Sequence, residues 1–229
     1  MKGKNRTAVI AVILAALLAA GILAGTYLYS NRFDAADYVQ AVVDASYKNE
    51  TELYVEITGV SEEEAQEIFE ENLDATMEGF ESSDMPQDMQ PKYRELFGEL
   101  AKNISCTAGE PKEQEDGSYI VPVTVKPVTV FTDTYATFQA RAQEYAQQVT
   151  DQVMDGGEMP EDARMQAEIY GIYYEVLKER TDSGMLYGGA RNVDVHVTKE
   201  GSRNFSIDEG DMDRLDSMLI ESVHTEPEE

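Results

Sequence analysis

The chain of 229 residues has no tryptophan, one cysteine and two histidines, and each scarcity removes a class of function. With Cys106 alone there is neither an intramolecular disulfide nor a thiolate metal cluster. Cys106 alternates with Ile104 and Ala108, the pattern of a buried structural thiol rather than of a nucleophile. His196 and His224 leave the commonest general base nearly missing. His224 lies in an acidic tail, and His196 takes an outward position between Val195 and Val197 of a valine strand. No Walker loop, G-x-G-x-x-G, H-E-x-x-H or G-x-S-x-G occurs, so nucleotide binding, zinc proteolysis and hydrolase-elbow chemistry have no starting point. No catalytic residue and no cofactor is implied.

Positive charge is the other scarcity. Eighteen Lys and Arg face 45 Asp and Glu, for a net charge of -27. Such a chain repels a phosphate backbone, which excludes nucleic acid as a partner. The imbalance is also uneven, because Lys2, Lys4 and Arg6 are the only charges before Ser30 and every carboxylate follows it.

What the N-terminus does have is apolar length. No charge falls between Thr7 and Asn31, and residues 7–30 as a helix cross roughly 30 Å of hydrocarbon. Residues 1–6 are basic and an acidic body follows, so the positive-inside rule places a short stub in the cytoplasm and the remainder outside, with Tyr27 and Tyr29 at the outer interface. The expected organisation is a cytoplasmic stub (1–6), a signal anchor (7–30) in the lipid bilayer, an extracytoplasmic domain (33–223) and an acidic tail (224–229). Two alternatives stay open. Ala24-Gly25-Thr26 can serve as a signal-peptidase site and release a secreted form. Leu23-Ala24-Gly25 is similar to a lipobox, but position 26 is Thr and has no sulfur to acylate. Gly21 and Gly25 form a G-x-x-x-G face through which two membrane helices can pack into a homodimer; the same spacing also arises incidentally in membrane helices.

In the body, Asp34 caps a helix running to about Lys48 with Tyr38, Ala41, Val42 and Ala45 on one face. Leu53 to Thr58 reads as a short extended piece. Ser61 and Glu64 make a capping box for a helix to about Phe80, burying Ala65, Ile68, Phe69, Leu73, Met77 and Phe80. Glu81 to Gln90 reads as a polar linker, and Pro91 opens a helix carrying Tyr93, Leu96, Phe97 and Leu100. The period then becomes two: Ile104, Cys106 and Ala108 pair with Tyr119, Val121, Val123 and Val125 across Asp116-Gly117, with Pro122 and Pro127 marking the second strand as an edge or bulged strand. A ridge of Phe131, Tyr135, Phe138, Ala142, Tyr145, Val149 and Val153 defines a long helix. Pro160 opens another, with Met165, Ile169, Ile172, Tyr173, Val176 and Leu177 as its stripe. Val193, Val195 and Val197, then Phe205 and Ile207, form a second hairpin, and a last helix follows Asp208 with Met212, Leu215 and Leu219. The sum is an α+β fold, helices packed on a small antiparallel sheet, preceded by one transmembrane helix.

Two clusters invite chemistry. Glu63, Glu67 and Glu71 stand four apart on the second helix, beside the pair Glu70 and Asp74; this is either a solvated acidic surface or a weak divalent-cation site lacking convergent loop ligands. Tyr170, Tyr173, Tyr174 and Tyr187 suggest an aromatic cage, but helical spacing disperses them, which favours amphipathic core and rim.

The stretch Tyr38-Val39-x-Ala41-x-x-Asp44-x-x-Tyr47-Lys48, followed by Thr58-Gly59-x-Ser61-x-Glu63-Glu64-Ala65, resembles the opening of small uncharacterised extracytoplasmic proteins and lipoproteins of Gram-positive bacteria. The resemblance covers about residues 33–80. It implies a surface-tethered domain, sometimes grouped with cone-shaped NTF2-like folds, and supplies no reaction. The resulting functional expectation is a non-enzymatic surface module that binds an extracytoplasmic protein or a small ligand. The alternative is an enzyme whose acid and base are both carboxylates, marked by two convergent buried carboxylates in a cleft rather than an apolar pocket.

Overall fold

The computed structural model describes residues 34–80, 85–199 and 205–221. The membrane helix expected over 7–30, with Gly21 and Gly25, and the tail from His224 lie outside the described residues. Among the described residues, no helix is long and apolar enough to cross a membrane.

The first helix, α1 (Ala35–Val43), opens on a capping box. The Asp34 carboxylate accepts from the backbone N–H of Ala36 and Asp37, and Asp37 returns the contact to the Asp34 N–H. It runs on into a π-helical turn, Asp44–Lys48, closed by Asn49 at φ 58°. The expected apolar face is thereby corrected: Val39 and Val43 enter the core with Ala41 and Ala45, whereas Tyr38 and Val42 are half-buried. The wider π turn also buries Ser46 and turns Tyr47 toward the last helix.

The extended piece expected at Leu53 to Thr58 is instead a helix, α2 (Glu52–Thr58). Its β-branched residues favour a strand only weakly, and packing decides. Ile57 is buried, Leu53 and Tyr54 lie against the same core, and the Thr58 hydroxyl bonds back to the Tyr54 carbonyl. Gly59, at φ 80°, ends the turn. The Ser61–Glu64 capping box forms as expected, with the Ser61 N–H donating to Glu64 Oε2 at 2.9 Å and the Glu64 N–H to Ser61 Oγ at 3.2 Å. It opens α3 (Glu62–Phe80), which buries Ala65, Phe69, Leu73 and Met77 and leaves Ile68 and Phe80 half-buried. The polar linker is corrected in one respect: Met85 and Met89 are core residues. Pro91 sits in the first turn of α4 (Gln90–Ala101), whose Tyr93, Leu96, Phe97 and Leu100 are all buried.

The sheet contains β1 (Ser105–Ala108), β2 (Lys112–Glu113), β3 (Tyr119–Lys126), β4 (Arg191–Lys199) and β5 (Phe205–Ile207), all antiparallel, in the order β1-β3-β4-β5 with β2 also on β3. The edge alternative for β3 is thus corrected, because it lies inside the sheet. Pro122 is tolerated there because its carbonyl accepts from the Gly109 N–H, so its missing donor faces the same side, where the pairing slips by one residue between β1 and β2. The outer edge of β1 is covered by Gln40, whose amide accepts from the Ala108 N–H at 2.9 Å and donates to the Cys106 carbonyl at 3.5 Å.

After β3 come α5 (Val130–Met154) and α6 (Asp162–Asp182), an antiparallel helical hairpin tied by Arg141 to Glu179 and by Arg180 to Asp133. Its root is buried through Val130, Val176 and Leu177; its tip exposes Val153, Met154 and Met159. Burial of the whole α5 ridge is therefore corrected at Tyr135 and Val153, each 37% exposed, because two helices offer each other only one covering face. The last helix, α7 (Glu209–Leu219), is capped by the Asp208 carboxylate.

Two cores result. One lies between the inner sheet face, with its six valines from Val121 to Val197, and α1 and α7 through Val39, Val43, Leu215 and Leu219. The other is helical, gathered around Tyr93 from α3, α4, the root of α5 and α6.

Candidate ligand cavity between the two cores

A cavity of about 550 Å³ opens where the two cores meet. One wall is α3, through Phe69, Leu73, Thr76, Gly79 and Phe80; α4 and its exit supply Phe97, Leu100, Ala101 and Ile104; Val128, Val130 and Phe131 close the back; Leu219 and Ile220 end α7 beside the opening. That size and mostly apolar lining suit a small organic ligand.

Its polar groups are few. Asn72 donates to the Ser46 carbonyl at 3.1 Å, and the Thr76 hydroxyl to the Asn72 carbonyl at 2.9 Å, so the Thr76 proton and one of the two Asn72 N–H donors are committed to backbone. Tyr47, from the π turn, donates its hydroxyl to the Asp216 carboxylate of α7. Asp216 is open to solvent on one side and set against apolar wall on the other, and this partial desolvation raises its pKa above the usual carboxylate value. Among the described residues, no Lys, Arg or His lines the cavity.

The residues singled out by sequence fall elsewhere. Glu63, Glu67 and Glu71 are exposed along α3, and the structure does not gather them: among the described residues no three His, Cys, Asp or Glu converge to hold a metal ion. The neighbouring like-charged pair is relieved from outside its helix, since Arg94 of α4 bridges Glu70 and Asp74. Tyr170, Tyr173 and Tyr174 ring Tyr93 at centroid distances of 5.7–6.4 Å, and the Tyr93 hydroxyl donates to the Tyr170 carbonyl at 2.7 Å, so these half-buried tyrosines form the rim of the helical core and not a cage. Burial, with the neighbouring rings, pushes the Tyr93 phenol far up. Tyr187 stands apart and donates to the Asn103 carbonyl. Cys106 is buried, which pushes its thiol up to about 11 and leaves little thiolate at neutral pH.

His196 does face outward, but not alone. Its Nδ1 lies 2.6 Å from Oδ2 of Asp211, which also accepts the His196 backbone N–H at 2.7 Å, and Arg214 pairs with the other oxygen. Asp211 is buried and fully partnered, so the cluster fastens the start of α7 to β4. Sequence reasoning missed Asp211, whose place in the first turn of α7 marks it only as an N-terminal helix acid. It also missed Tyr47 and Asp216, which are 169 residues apart.

No family model matches the chain, and no curated protein matches it. Among solved structures it is similar to ycdA, a candidate lipoprotein of Bacillus subtilis, at 17% identity and a TM-score of 0.58. The match covers 82% of this chain but only 56% of the other, so this chain spans little more than half of that protein's length. At that identity the likeness is one of fold: helices packed on a small antiparallel sheet.

Proposed function

We propose that the chain is a membrane-anchored extracytoplasmic protein whose domain binds a small, largely apolar ligand in the cavity between its two cores, without catalysing a reaction on it. The observation that carries this reading is the composition of the cavity wall: apolar groups from α3, α4, α5 and α7 around, among the described residues, a single carboxylate, Asp216. A carboxylate-based enzyme needs an acid and a base converging on one bond, and among the described residues the lining offers no second carboxylate. The surface location rests on the apolar run 7–30 and its basic flank, and a fold shared with a candidate lipoprotein is consistent with it.

Two experiments test the two halves. Protease added to intact cells should remove the C-terminal domain; a protected domain overturns the orientation. Calorimetric titration of the full chain in zwitterionic-lipid nanodiscs with hexan-1-ol, against chain-free nanodiscs, should show saturable binding. Gly79→Leu, which adds an apolar side chain where an added Cβ meets nothing within 4 Å, should weaken that binding by competing for the cavity. No saturable heat, or heat unaltered by filling, overturns the binding site.

A further inference from the structure

Resting on that cavity reading, we infer that the ligand class is a cationic amphiphile, an ammonium group on an apolar chain or ring, whose head hydrogen-bonds to the Asp216 carboxylate while its tail enters between α3 and α4.

The lining favours one head group over the others. An anionic head, as in a free fatty acid, finds no Lys, Arg or His among the described lining residues and approaches Asp216 with like charge. A neutral head finds the Thr76 and Tyr47 hydroxyls and one Asn72 N–H already donating, which leaves it the second Asn72 N–H and the Ser46 hydroxyl, and it does nothing to compensate the charge of Asp216. What the mouth has to spare is acceptor capacity. Asp216 takes one bond from Tyr47, a carboxylate accepts about four, and among the described residues no cation pairs with it. An ammonium head supplies three donors and the compensating charge. Partial desolvation of the carboxylate, seen in its raised pKa, is the cost that an incoming cation relieves. The wider field points the same way: α3 carries Glu70, Glu71, Asp74 and Glu78 on the outside of the cavity wall, and the net charge of -27 concentrates cations near the surface.

Tyr47 acts here as a positioning residue. Its bond fixes one carboxylate oxygen and leaves the other without a bond to Tyr47, and Tyr47 is held there by the π turn that breaks the register of α1. A regular α-helix through residues 44–48 would move Tyr47 around the helix axis and away from Asp216.

The test compares hexylammonium, hexan-1-ol and hexanoate on the full chain in zwitterionic-lipid nanodiscs at neutral pH and physiological salt. These probes share a tail and differ in head charge. Hexylammonium should bind about tenfold more tightly than hexan-1-ol, the scale of one charge-assisted hydrogen bond at a partly solvated site, and hexanoate should bind most weakly. Asp216→Asn should erase the preference for ammonium while hexan-1-ol still binds; Tyr47→Phe, which keeps the charge but frees the carboxylate that Tyr47 holds, should narrow the preference without erasing it. If hexan-1-ol binds but ammonium has no advantage, the cavity stands and this assignment is overturned. A preference that survives Asp216→Asn also overturns it, because the net acidity and not Asp216 then selects the cation. If none of the three binds, the cavity reading itself fails and this inference falls with it.

Discussion

The sheet core and the helical core are filled by different chemistry, and the cavity lies on the helical side of their seam. In the sheet core, Val121 faces Val195 and Val123 faces Val193 in an antiparallel register, with Val125 and Val197 buried beyond them, and short stiff side chains cover the sheet. In the helical core, large rings do the filling: Phe80, Tyr93, Phe97, Tyr170, Tyr173 and Tyr174 meet at tilted and edge-on angles. Small uniform side chains on a pleated surface leave no gap. Rings carried on separate helices leave spaces at their margins, and the cavity wall is made mostly of residues from that second core.

The strongest test of this contrast is Tyr93→Ala. Tyr93 is fully buried at the centre of the ring cluster, and truncation should cost about 3–5 kcal/mol. Tyr93→Phe, which keeps the ring but removes the hydroxyl that donates to the Tyr170 carbonyl, should cost about 1 kcal/mol. Urea unfolding measures both, and an alanine cost no larger than the phenylalanine cost would show that the rings are not what holds the helical core.

On the sheet side, Val195→Ala should cost about 2 kcal/mol, two methyl groups' worth of transfer free energy plus a small cavity. Its midpoint should shift in the same single transition as that of Tyr93→Ala. The cores share a strap at Val128, whose N–H donates to the Leu219 carbonyl at 2.8 Å and whose carbonyl accepts from Glu221 at 3.0 Å, with the Pro127 carbonyl accepting from Gly188 at 2.9 Å beside it. Two separable transitions would mean that the strap does not couple them.

The same contrast explains what could be read from the sequence. Alternating valines announced β3 and β4, and the three- and four-residue spacings announced α3 to α7, because each signal is local. The π turn carries no local signal, and α2 reads as an extended piece because Val55, Ile57 and Thr58 state a propensity that packing overrides. Met85 and Met89 were hidden in an acidic stretch. The cavity was not legible at all: its wall draws on residues 46–47, α3, α4, 128–131 and 216–220, and a gap between elements has no period. Asp216 in particular is indistinguishable, in sequence, from the other exposed acids of α7.

The helical hairpin offers a smaller test of the helical side. Gly171 lies inside α6, and an added Cβ there would meet nothing within 4 Å. Gly171→Ala should therefore stabilise the protein by about 0.5–1 kcal/mol by restricting the unfolded chain. A loss of stability in the same urea experiment would show that this face of α6 is covered by something the isolated hairpin does not display.

The smallest effect bears on the seam itself. Desolvation raises the pKa of Asp216 in the folded protein above its unfolded value, so folding favours the protonated form. The stabilisation from that proton is complete below the unfolded pKa and disappears as pH rises through the raised, folded pKa; at neutral pH the ionised carboxylate costs stability. Asp216→Asn keeps an oxygen to accept from Tyr47 and removes the charge, so at pH 7 it should be more stable than the parent by no more than about 0.5 kcal/mol, given that the group is open to solvent. Titration downward through the carboxylate range should close that gap. A gap that stays flat with pH, or widens in acid, would mean that the folded state does not desolvate the carboxylate. A carboxylate that asparagine could replace with a gain in stability is placed for something other than packing, which is what the proposed cationic ligand requires of Asp216.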